Sequence, residues 1–337
     1  MTDDKLENWN ELSREIAHNK ILLGNGSSRA IWDNFNYPTL FEEALRLKEN
    51  PLSDADARIF DLIKTTNFED ALFTLSQALK VNSILELPTD GLADRYENIR
   101  QALVSAVKSV HISWTQCDPV LDHFASSLLQ YKQGVFTTNY DLILYWAVMK
   151  RPWILKDLFF SDLTFDPYNT NVWEGGTPIY YLHGGLHLYT NSRGLTKKRS
   201  RSENPENNLL TIGDNRHPPL FISEGDSAGK YQQIRKSTYL FHCLSKLLEK
   251  KPNEEVHLCI FGHGLSAQDS HISAKLALSD FDTISISLRK QDSHSLIETK
   301  THYERIFRLY KAQGKLRFFD AATHPLGDPD ISRAPSK

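Results

Sequence analysis

Cysteine is scarce in this sequence, and the scarcity excludes two ways of stabilising a fold. The 337 residues contain three cysteines, Cys117, Cys243 and Cys259, which lie far apart and form no CxxC pair. A disulfide framework needs several closely spaced cysteines, and a structural zinc module needs about four Cys or His ligands. We therefore predict no disulfide framework and no metal site.

Long apolar runs and a strong net charge are also missing. The longest apolar run, LILYWAVM, is far shorter than the roughly 20 residues that span a bilayer. The net charge of -3 gives no electrostatic reason to expect binding to nucleic acid or to a membrane. The start of the chain, MTDDKLENWNE, is too acidic and polar for a secretory signal, so we expect a cytoplasmic protein.

Short apolar runs alternate with helical patterns along the chain. Strands are predicted where β-branched and aromatic residues cluster, at 20–26, 134–139, 178–184, 219–223, 256–264, 283–288 and 316–321. Helices are predicted from apolar residues that recur on one face, at 68–85, 95–114, 237–250 and 301–315. Because most of the strands are continuously apolar, both of their faces are expected to be covered. This alternation predicts an α/β fold with a Rossmann-like, doubly wound and mostly parallel sheet.

The spacing of the predicted strands is uneven. We predict one domain over residues 1–325, with a helical insertion at about 40–130 between the first two strands. The polar stretch 188–218 contains NSRGLTKKRSRSENPENN and is predicted to be a flexible loop. This loop is either a solvated surface segment or a contact for a partner or nucleic acid. Residues 326–337 are predicted to be a disordered tail.

The first predicted strand ends in LLGNGSS, a G-x-G pattern followed by two serines. Gly24 and Gly26 allow the backbone to approach a phosphate, while backbone amides and the Ser27 and Ser28 hydroxyls could hold a pyrophosphate. The same pattern also fits a plain strand–helix turn. Since Arg29 interrupts the longer dinucleotide fingerprint G-x-G-x-x-G, we do not expect an ordinary dehydrogenase site.

The second strand end, FTTNYD, is crowded with hydrogen-bonding side chains. The amide of Asn139 donates and accepts at once, so it could orient a ribose hydroxyl or an attacking water. Asp141 could accept a hydrogen bond from a carboxamide. In the alternative interpretation, Thr138 or Asn139 only caps the helix that follows.

The third and fourth strand ends are YYLHGG and CIFGHGLSAQD. His183 is a candidate general base because the ordinary pKa of histidine lies near neutrality, although a purely structural histidine fits as well. Gly262, Gly264 and Ser266 repeat the phosphate-binding pattern, or they form a turn in which Ser266 or Asp269 caps a helix. Since the carboxyl ends of parallel strands line one crevice, we expect all four strand ends to meet at a nucleotide-sized site.

The order of these motifs resembles the sirtuin superfamily. The resemblance covers roughly residues 18–290 and rests on the segments 24–28, 137–141, 183–184 and 262–266. It implies that NAD+ binds at the carboxyl edge of the sheet. It also implies that the glycine loops surround the phosphates, through Gly24, Asn25, Gly26, Ser27, Ser28, Gly262, Gly264 and Ser266. By the same resemblance, Asn139 positions the ribose or water, His183 is the base, and Asp141, close to Thr138, contacts the nicotinamide carboxamide.

The sequence also departs from the sirtuin pattern. Sirtuin deacylases carry a zinc module with four cysteines, which a chain with three cysteines cannot build. Asn25 stands where the family has alanine, and WDNF is a loose counterpart of its proline–aspartate–phenylalanine segment. The chain is more similar to the zinc-less bacterial branch of NAD+-cleaving domains in anti-phage defence.

Our leading hypothesis is therefore an NAD+ glycohydrolase that releases nicotinamide and ADP-ribose as a toxic effector. Because free NAD+ hydrolysis would harm the cell, we expect activity to be gated by a homo-oligomer or a partner protein. One alternative is a non-catalytic module that senses NAD+ or ADP-ribose. A protein deacylase or ADP-ribosyltransferase is less favoured, since deacylases of this type have the zinc ligands that this sequence lacks.

Overall fold

A computed structural model describes residues 5–159, 162–169, 175–199, 218–222, 226–330 and 333. Its main sheet has seven strands, and every neighbouring pair is parallel. In sheet order the strands are β10 (Leu316–Asp320), β9 (Thr283–Leu288), β8 (His257–Phe261), β1 (Lys20–Leu23), β2 (Gly134–Thr137), β4 (Thr177–Tyr181) and β3 (Leu155–Lys156). The predicted Rossmann-like, doubly wound α/β fold is confirmed.

Strand β1 lies at the centre of this sheet. Strands β2, β4 and β3 follow on one side of it, and strands β8, β9 and β10 follow on the other side. Leu22 faces Phe136 of β2 on one side and Ile260 of β8 on the other. All three side chains are completely buried, as expected for a parallel sheet covered by helices on both faces. The carboxyl ends of β1, β2 and β8 therefore lie side by side, where open α/β sheets bind their ligands.

The helices occupy both faces of the sheet. In chain order they are α1 (Trp9–Glu15), α2 (Asn25–Ile31), α3 (Tyr37–Arg46), α4 (Asp54–Ile63), α5 (Phe68–Ile84), α6 (Asp90–Val110), α7 (Trp114–Leu128), α8 (Ile143–Lys150), α9 (Ser227–Lys236), α10 (Thr238–Leu248), α11 (Ser270–Ala277), α12 (Ser293–Ile306) and α13 (Arg308–Ala312). Six of them, α2 to α7, lie between β1 and β2. Among the helices described, none is long and apolar enough to cross a membrane.

The four helices predicted from apolar periodicity are present. The patterns at 68–85, 95–114 and 237–250 correspond to α5, α6 and α10, whereas the pattern at 301–315 spans the end of α12 and all of α13. The helix is interrupted between α12 and α13 at Phe307, whose side chain is completely buried. Periodicity predicted the apolar face correctly but did not predict this interruption.

A second sheet of three strands corrects the expected loop at 188–218. Strand β5 (Gly184–Thr190) pairs antiparallel with β6 (Thr196–Lys198) and with β7 (Pro219–Phe221). The expectation of irregular chain is therefore wrong at 188–190 and 196–198, while 200–217 lies outside the described residues. The polar sequence of β6 can be buried because its lysine has a partner. The ammonium of the buried Lys198 lies 2.6 Å from the carboxylate of Asp157.

The predicted disordered tail is also corrected at its beginning. Leu326 is completely buried, and its N–H donates to Nδ1 of the buried His324 at 3.0 Å. An apolar side chain in the core therefore holds the start of this segment. Residues 331–332 and 334–337 of the predicted tail lie outside the described part of the chain.

Candidate functional site

A cavity of about 480 Å³ lies at the carboxyl ends of β1, β2, β4 and β8. Each of the four predicted strand ends contributes to its lining, through Gly24, Asn139, His183 and Gly262 among others. Ligand pockets in proteins commonly measure roughly 300–1,000 Å³, so the cavity is large enough for much of a nucleotide. The expectation that these four strand ends meet at one crevice is confirmed.

The two glycine loops of the cavity interlock. The N–H of Gly26 donates to the carbonyl of Gly262 at 2.8 Å. A Cβ on Gly24 would lie 2.5 Å from the Cα of His263, and one on Gly26 would lie 2.6 Å from the Cα of Gly262. Gly262 also has a φ of +65, a backbone region that favours glycine. These glycines therefore allow the loops after β1 and β8 to pack against each other, whereas a Cβ on Gly264 would have no neighbour within 4 Å.

Ser27 and Ser28 require a correction, because their hydroxyls point into the protein. The Ser27 hydroxyl donates to the carbonyl of Gly24 at 2.8 Å, and the Ser28 hydroxyl donates to the carboxylate of Asp141 at 2.5 Å. Both serines are buried, and neither lines the cavity. Their hydroxyls hold the loop after β1 in place and are not available to a pyrophosphate in this arrangement.

Asn139 connects this loop to the cavity. Its amide nitrogen donates to the Gly24 carbonyl at 3.0 Å and lies 2.8 Å from the Ser28 hydroxyl and 3.2 Å from the Ser27 hydroxyl. Its side-chain carbonyl oxygen has no partner among the described residues. Because Asn139 lines the cavity, this oxygen is the atom available to accept a hydrogen bond from a ligand.

Asp141 and Thr138 also line the cavity, as the sequence predicts. One carboxylate oxygen of Asp141 accepts from Ser28, and the other accepts from the N–H of Ile143 at 2.9 Å. Each oxygen has a second lone pair that can accept a hydrogen bond from a carboxamide. The alternative that Thr138 or Asn139 caps α8 is wrong, since Asp141 is the side chain that binds the first turn of this helix.

The loop after β8 contributes further residues to the lining, including Gly264 and the exposed Ser266. Neither Ser266 nor Asp269 makes a side-chain cap to the helical turn that follows, so the capping interpretation is wrong for both. The hydroxyl of Ser266 is therefore free for a ligand. Asn25 lines the cavity too, with its amide nitrogen donating to the carbonyl of Phe35 at 3.0 Å.

His183 lies within a group of three buried histidines. Its Nε2 is 3.0 Å from Nε2 of His271, and the two rings stack at an angle of 24°. Burial and the nearby Lys230 ammonium hold the pKa of His183 well below its ordinary value. Burial likewise lowers the pKa of His271 to about 4 and lowers the pKa of His263. All three imidazoles are therefore neutral at neutral pH.

A buried ion cluster lies directly beside these histidines. The ammonium of Lys230 is 3.0 Å from Glu69 and 3.1 Å from Asp269, and the lysine is completely buried. Burial, the largest single effect, would raise the pKa of Asp269, but Lys230 and the neighbouring histidines together outweigh burial and lower it. In the same way the two carboxylates outweigh burial and raise the pKa of Lys230. Asp269 and Lys230 are therefore both charged at neutral pH.

The donor set of a metal site is also present among the described residues. Ligand atoms of His183, Asp269 and His271 all lie within 4.8 Å of one another. Two imidazoles and a carboxylate suit a divalent transition metal. The ammonium of Lys230, however, already balances Asp269 and would repel a second cation placed there. The prediction that the chain uses no metal remains a prediction.

Sequence reasoning missed Glu69, Lys230 and His271. Glu69 comes from α5 in the helical segment between β1 and β2, and Lys230 comes from α9. The one local signal is the spacing of Lys230 and Ile234, four residues apart on the buried face of α9. A lysine at such a core position needs a buried partner, but the sequence does not show which carboxylate supplies it.

Comparison with known families gives one result. Residues 21–326 match a family model with the description "Domain of unknown function (DUF4917)". This match covers both glycine loops together with Asn139 and His183. A search of curated proteins finds no match.

Proposed function

The chain belongs to the DUF4917 family, and we propose that it is an NAD+ glycohydrolase that converts NAD+ and water into nicotinamide and ADP-ribose. One observation carries the proposal. Asn139 and His183, which are separated in sequence, line the same cavity as the two interlocked glycine loops. An amide oxygen can position a water molecule, a neutral imidazole can accept its proton, and closely approachable backbone can hold a pyrophosphate.

The reaction breaks the bond between the ribose C1′ and the nicotinamide nitrogen. Both electrons of this bond leave with nicotinamide, which becomes neutral, and the ribose acquires oxocarbenium character in the transition state. The oxygen of a water molecule bonds to C1′, and one water proton passes to a base. The protein therefore has to position the water, accept its proton and stabilise a developing positive charge.

Asn139 is suited to the positioning step. Its amide nitrogen is held by the carbonyl of Gly24 and the hydroxyl of Ser28, so the orientation of the side chain is set before a ligand binds. The free carbonyl oxygen then accepts a hydrogen bond from the water or from a ribose hydroxyl. Such pre-organisation lowers the entropic cost of placing the water near C1′.

His183 is suited to accept the proton because its imidazole is neutral at neutral pH. Its Nε2 is engaged with His271, so the tautomer that donates this N–H leaves Nδ1 as the basic atom. The lowered pKa keeps His183 unprotonated and ready to accept the water proton, and no general acid is needed because nicotinamide departs without protonation.

Asp269 supplies negative charge at the same cavity. It lines the cavity, and Lys230 keeps it ionised despite its burial. A fixed carboxylate near the ribose stabilises an oxocarbenium-like transition state more than the neutral ground state of the sugar. We propose this electrostatic role for Asp269.

The test is incubation of the purified chain with NAD+, followed by chromatography of the products. We expect equimolar nicotinamide and ADP-ribose, with no requirement for a peptide substrate. Release of O-acetyl-ADP-ribose that depends on an acetylated peptide would instead indicate a deacylase. Transfer of ADP-ribose to a protein without free ADP-ribose would indicate a transferase.

We also propose that the activity is gated. Unrestrained hydrolysis would deplete NAD+ in the cytoplasm, so a homo-oligomer or a partner protein is proposed to control the enzyme. A toxic effector of anti-phage defence is the role that fits this chemistry. Turnover should rise more than in proportion to protein concentration, or on addition of the partner. Full turnover by a monomer with no addition would contradict the gating proposal.

A module that binds NAD+ or ADP-ribose without cleaving it is the second candidate. The observation that favours it is the bond between His183 and His271, which occupies one nitrogen of the proposed base. Calorimetric titration with ADP-ribose separates the two candidates. Tight binding together with unchanged NAD+ after prolonged incubation, with and without protein partners, would support the sensing module.

A further inference from the structure

A side cavity of about 350 Å³ lies at the carboxyl ends of β8, β9 and β10. Gly26, Gly262, Ser287 and Arg289 line both this side cavity and the main cavity. The two spaces therefore adjoin at the interlocked glycine loops. Together they form a crevice that extends to both sides of β1 and can hold a ligand longer than a mononucleotide.

The order of the strands determines which half of a dinucleotide reaches the side cavity. This step rests on the proposed function, which places the nicotinamide ribose at Asn139 and His183, after β2 and β4. The side cavity lies on the opposite side of β1, beyond β8. With the pyrophosphate near the glycine loops, the adenosine half of the ligand lies at the side cavity.

The lining of the side cavity contains more cationic side chains than carboxylates. Its two carboxylates each have a cation, since Asp33 pairs with Arg29 at 2.9 Å and Asp320 pairs with Lys290 at 2.9 Å. Arg289 directly follows the end of β9, is exposed and forms no ion pair with a described residue. An unpaired guanidinium at this position favours an additional anionic group on the ligand.

In dinucleotide sites of this fold class, a carboxylate binds the 2′-hydroxyl of an NAD+ ribose, whereas an arginine accommodates the 2′-phosphate of NADP+. The side cavity has the second arrangement, because both of its carboxylates are already paired, and the two cations left without an ion pair to a described residue, Arg289 and Arg333, are arginines. We propose that Arg289 binds a 2′-phosphate on the adenosine ribose, so that the site takes NADP+ as well as NAD+.

Cleavage kinetics with both dinucleotides test this proposal. We expect kcat/KM for NADP+ to equal or exceed that for NAD+. Arg289→Met should lower kcat/KM for NADP+ by about 10–100-fold, with a loss of less than about threefold for NAD+, since only NADP+ loses a charge-assisted contact. Arg308→Met is the matched control, since Arg308 is exposed on α13 and lines neither cavity. Equal losses for both dinucleotides in Arg289→Met would overturn the proposal.

Binding of the reaction products gives a readout that does not depend on turnover. We expect ADP-ribose 2′-phosphate to bind about tenfold more tightly than ADP-ribose, and Arg289→Met to remove this preference. If neither dinucleotide is cleaved but the preference is measured, the proposed hydrolase function fails and the phosphate site stands. If both dinucleotides are cleaved but the two products bind equally, the phosphate site fails and the hydrolase function stands.

Discussion

At the scale of single residues, the polar side chains at this site form hydrogen bonds with each other and also line the cavity. Asn139 holds the loop after β1 through Gly24 and Ser28 while presenting its carbonyl oxygen to a ligand. Asp141 receives the hydroxyl of Ser28 and also binds the first turn of α8. Substitutions here therefore affect both the geometry of the loop and any ligand contact, and a control for folding is needed with each.

Lys230 is predicted to be essential for stability because it lies between two carboxylates in the protein interior. Lys230→Met leaves Glu69 and Asp269 without their cation, and loss of one partner of a buried ion pair costs about 3–5 kcal/mol. Lys246→Met is the control, since Lys246 makes a surface pair with Glu249 whose loss costs less than about 1 kcal/mol. Urea unfolding measures both values. If Lys230→Met lowers the free energy of unfolding by less than about 1 kcal/mol, Lys230 does not stabilise the protein through a buried ion pair.

The neutral state of the histidine group predicts an unusual dependence of turnover on pH. The pKa of His183 lies well below its ordinary value, and that of His271 is about 4. A base with a lowered pKa stays unprotonated as the pH falls, so kcat/KM should remain flat from pH 8 to about pH 6. Initial rates of NAD+ cleavage across this range provide the measurement. A decline with a midpoint near pH 6.5, typical of an ordinary histidine, would show that His183 is not the base.

At the scale of structural elements, the contact between the loops after β1 and β8 determines the shape of the crevice. We predict that Gly262→Ala destabilises the protein by roughly 2–5 kcal/mol, because a Cβ would lie 2.6 Å from the backbone nitrogen of Ser27 at a φ of +65. Gly264→Ala, whose Cβ would have no neighbour within 4 Å, should change stability much less. Thermal unfolding of the two variants tests this difference, and equal melting temperatures would contradict it.

Strands and helices with a strong local pattern are predictable from this sequence, but elements that depend on distant partners are not. The seven predicted apolar runs all contain strands, because continuous burial leaves a clear signal. Strand β6 has the sequence TKK, and this polar composition is typical of an exposed segment. It becomes a buried strand through the pairing of Lys198 with Asp157, a partner that only the folded structure brings close.

The same distinction applies to the candidate site. The glycine motifs, Asn139 and His183 are predictable because they directly follow strands whose carboxyl ends must lie at one edge of the sheet. The inward direction of the Ser27 and Ser28 hydroxyls is not predictable, since it depends on where Asp141 lies. The ion cluster was missed for a similar reason, because its members come from helices that are remote in sequence.

At the scale of the whole molecule, buried neutral histidines link stability to pH. Burial lowers the pKa of both His18 and His271 to about 4, whereas a histidine in the unfolded chain titrates near 6.5. Below pH 6.5 the unfolded chain therefore binds protons that the folded protein does not, and the free energy of unfolding falls until about pH 4. The loss is about 2 kcal/mol for each histidine between pH 6.5 and pH 5.

Urea unfolding at pH 7.5, 6 and 5 measures this effect. We expect the midpoint concentration of urea to decrease at each step towards acid. A midpoint that rises or stays constant between pH 7.5 and pH 5 would show that these histidines are as easily protonated in the folded protein as in the unfolded chain. Measurement below pH 4 is less informative, because carboxylates such as Asp269 also begin to titrate.

The most direct test of the account is NAD+ cleavage by the wild-type chain and by two variants at neutral pH. Asn139→Ala and His183→Ala should each lower the rate of nicotinamide release by at least about 100-fold. The exposed Asn98→Ala on α6 and His294→Ala on α12 should retain the wild-type rate. Circular dichroism spectra matching that of the wild type would exclude unfolding as the cause. Nicotinamide release at the wild-type rate by correctly folded Asn139→Ala or His183→Ala would contradict the proposed hydrolase.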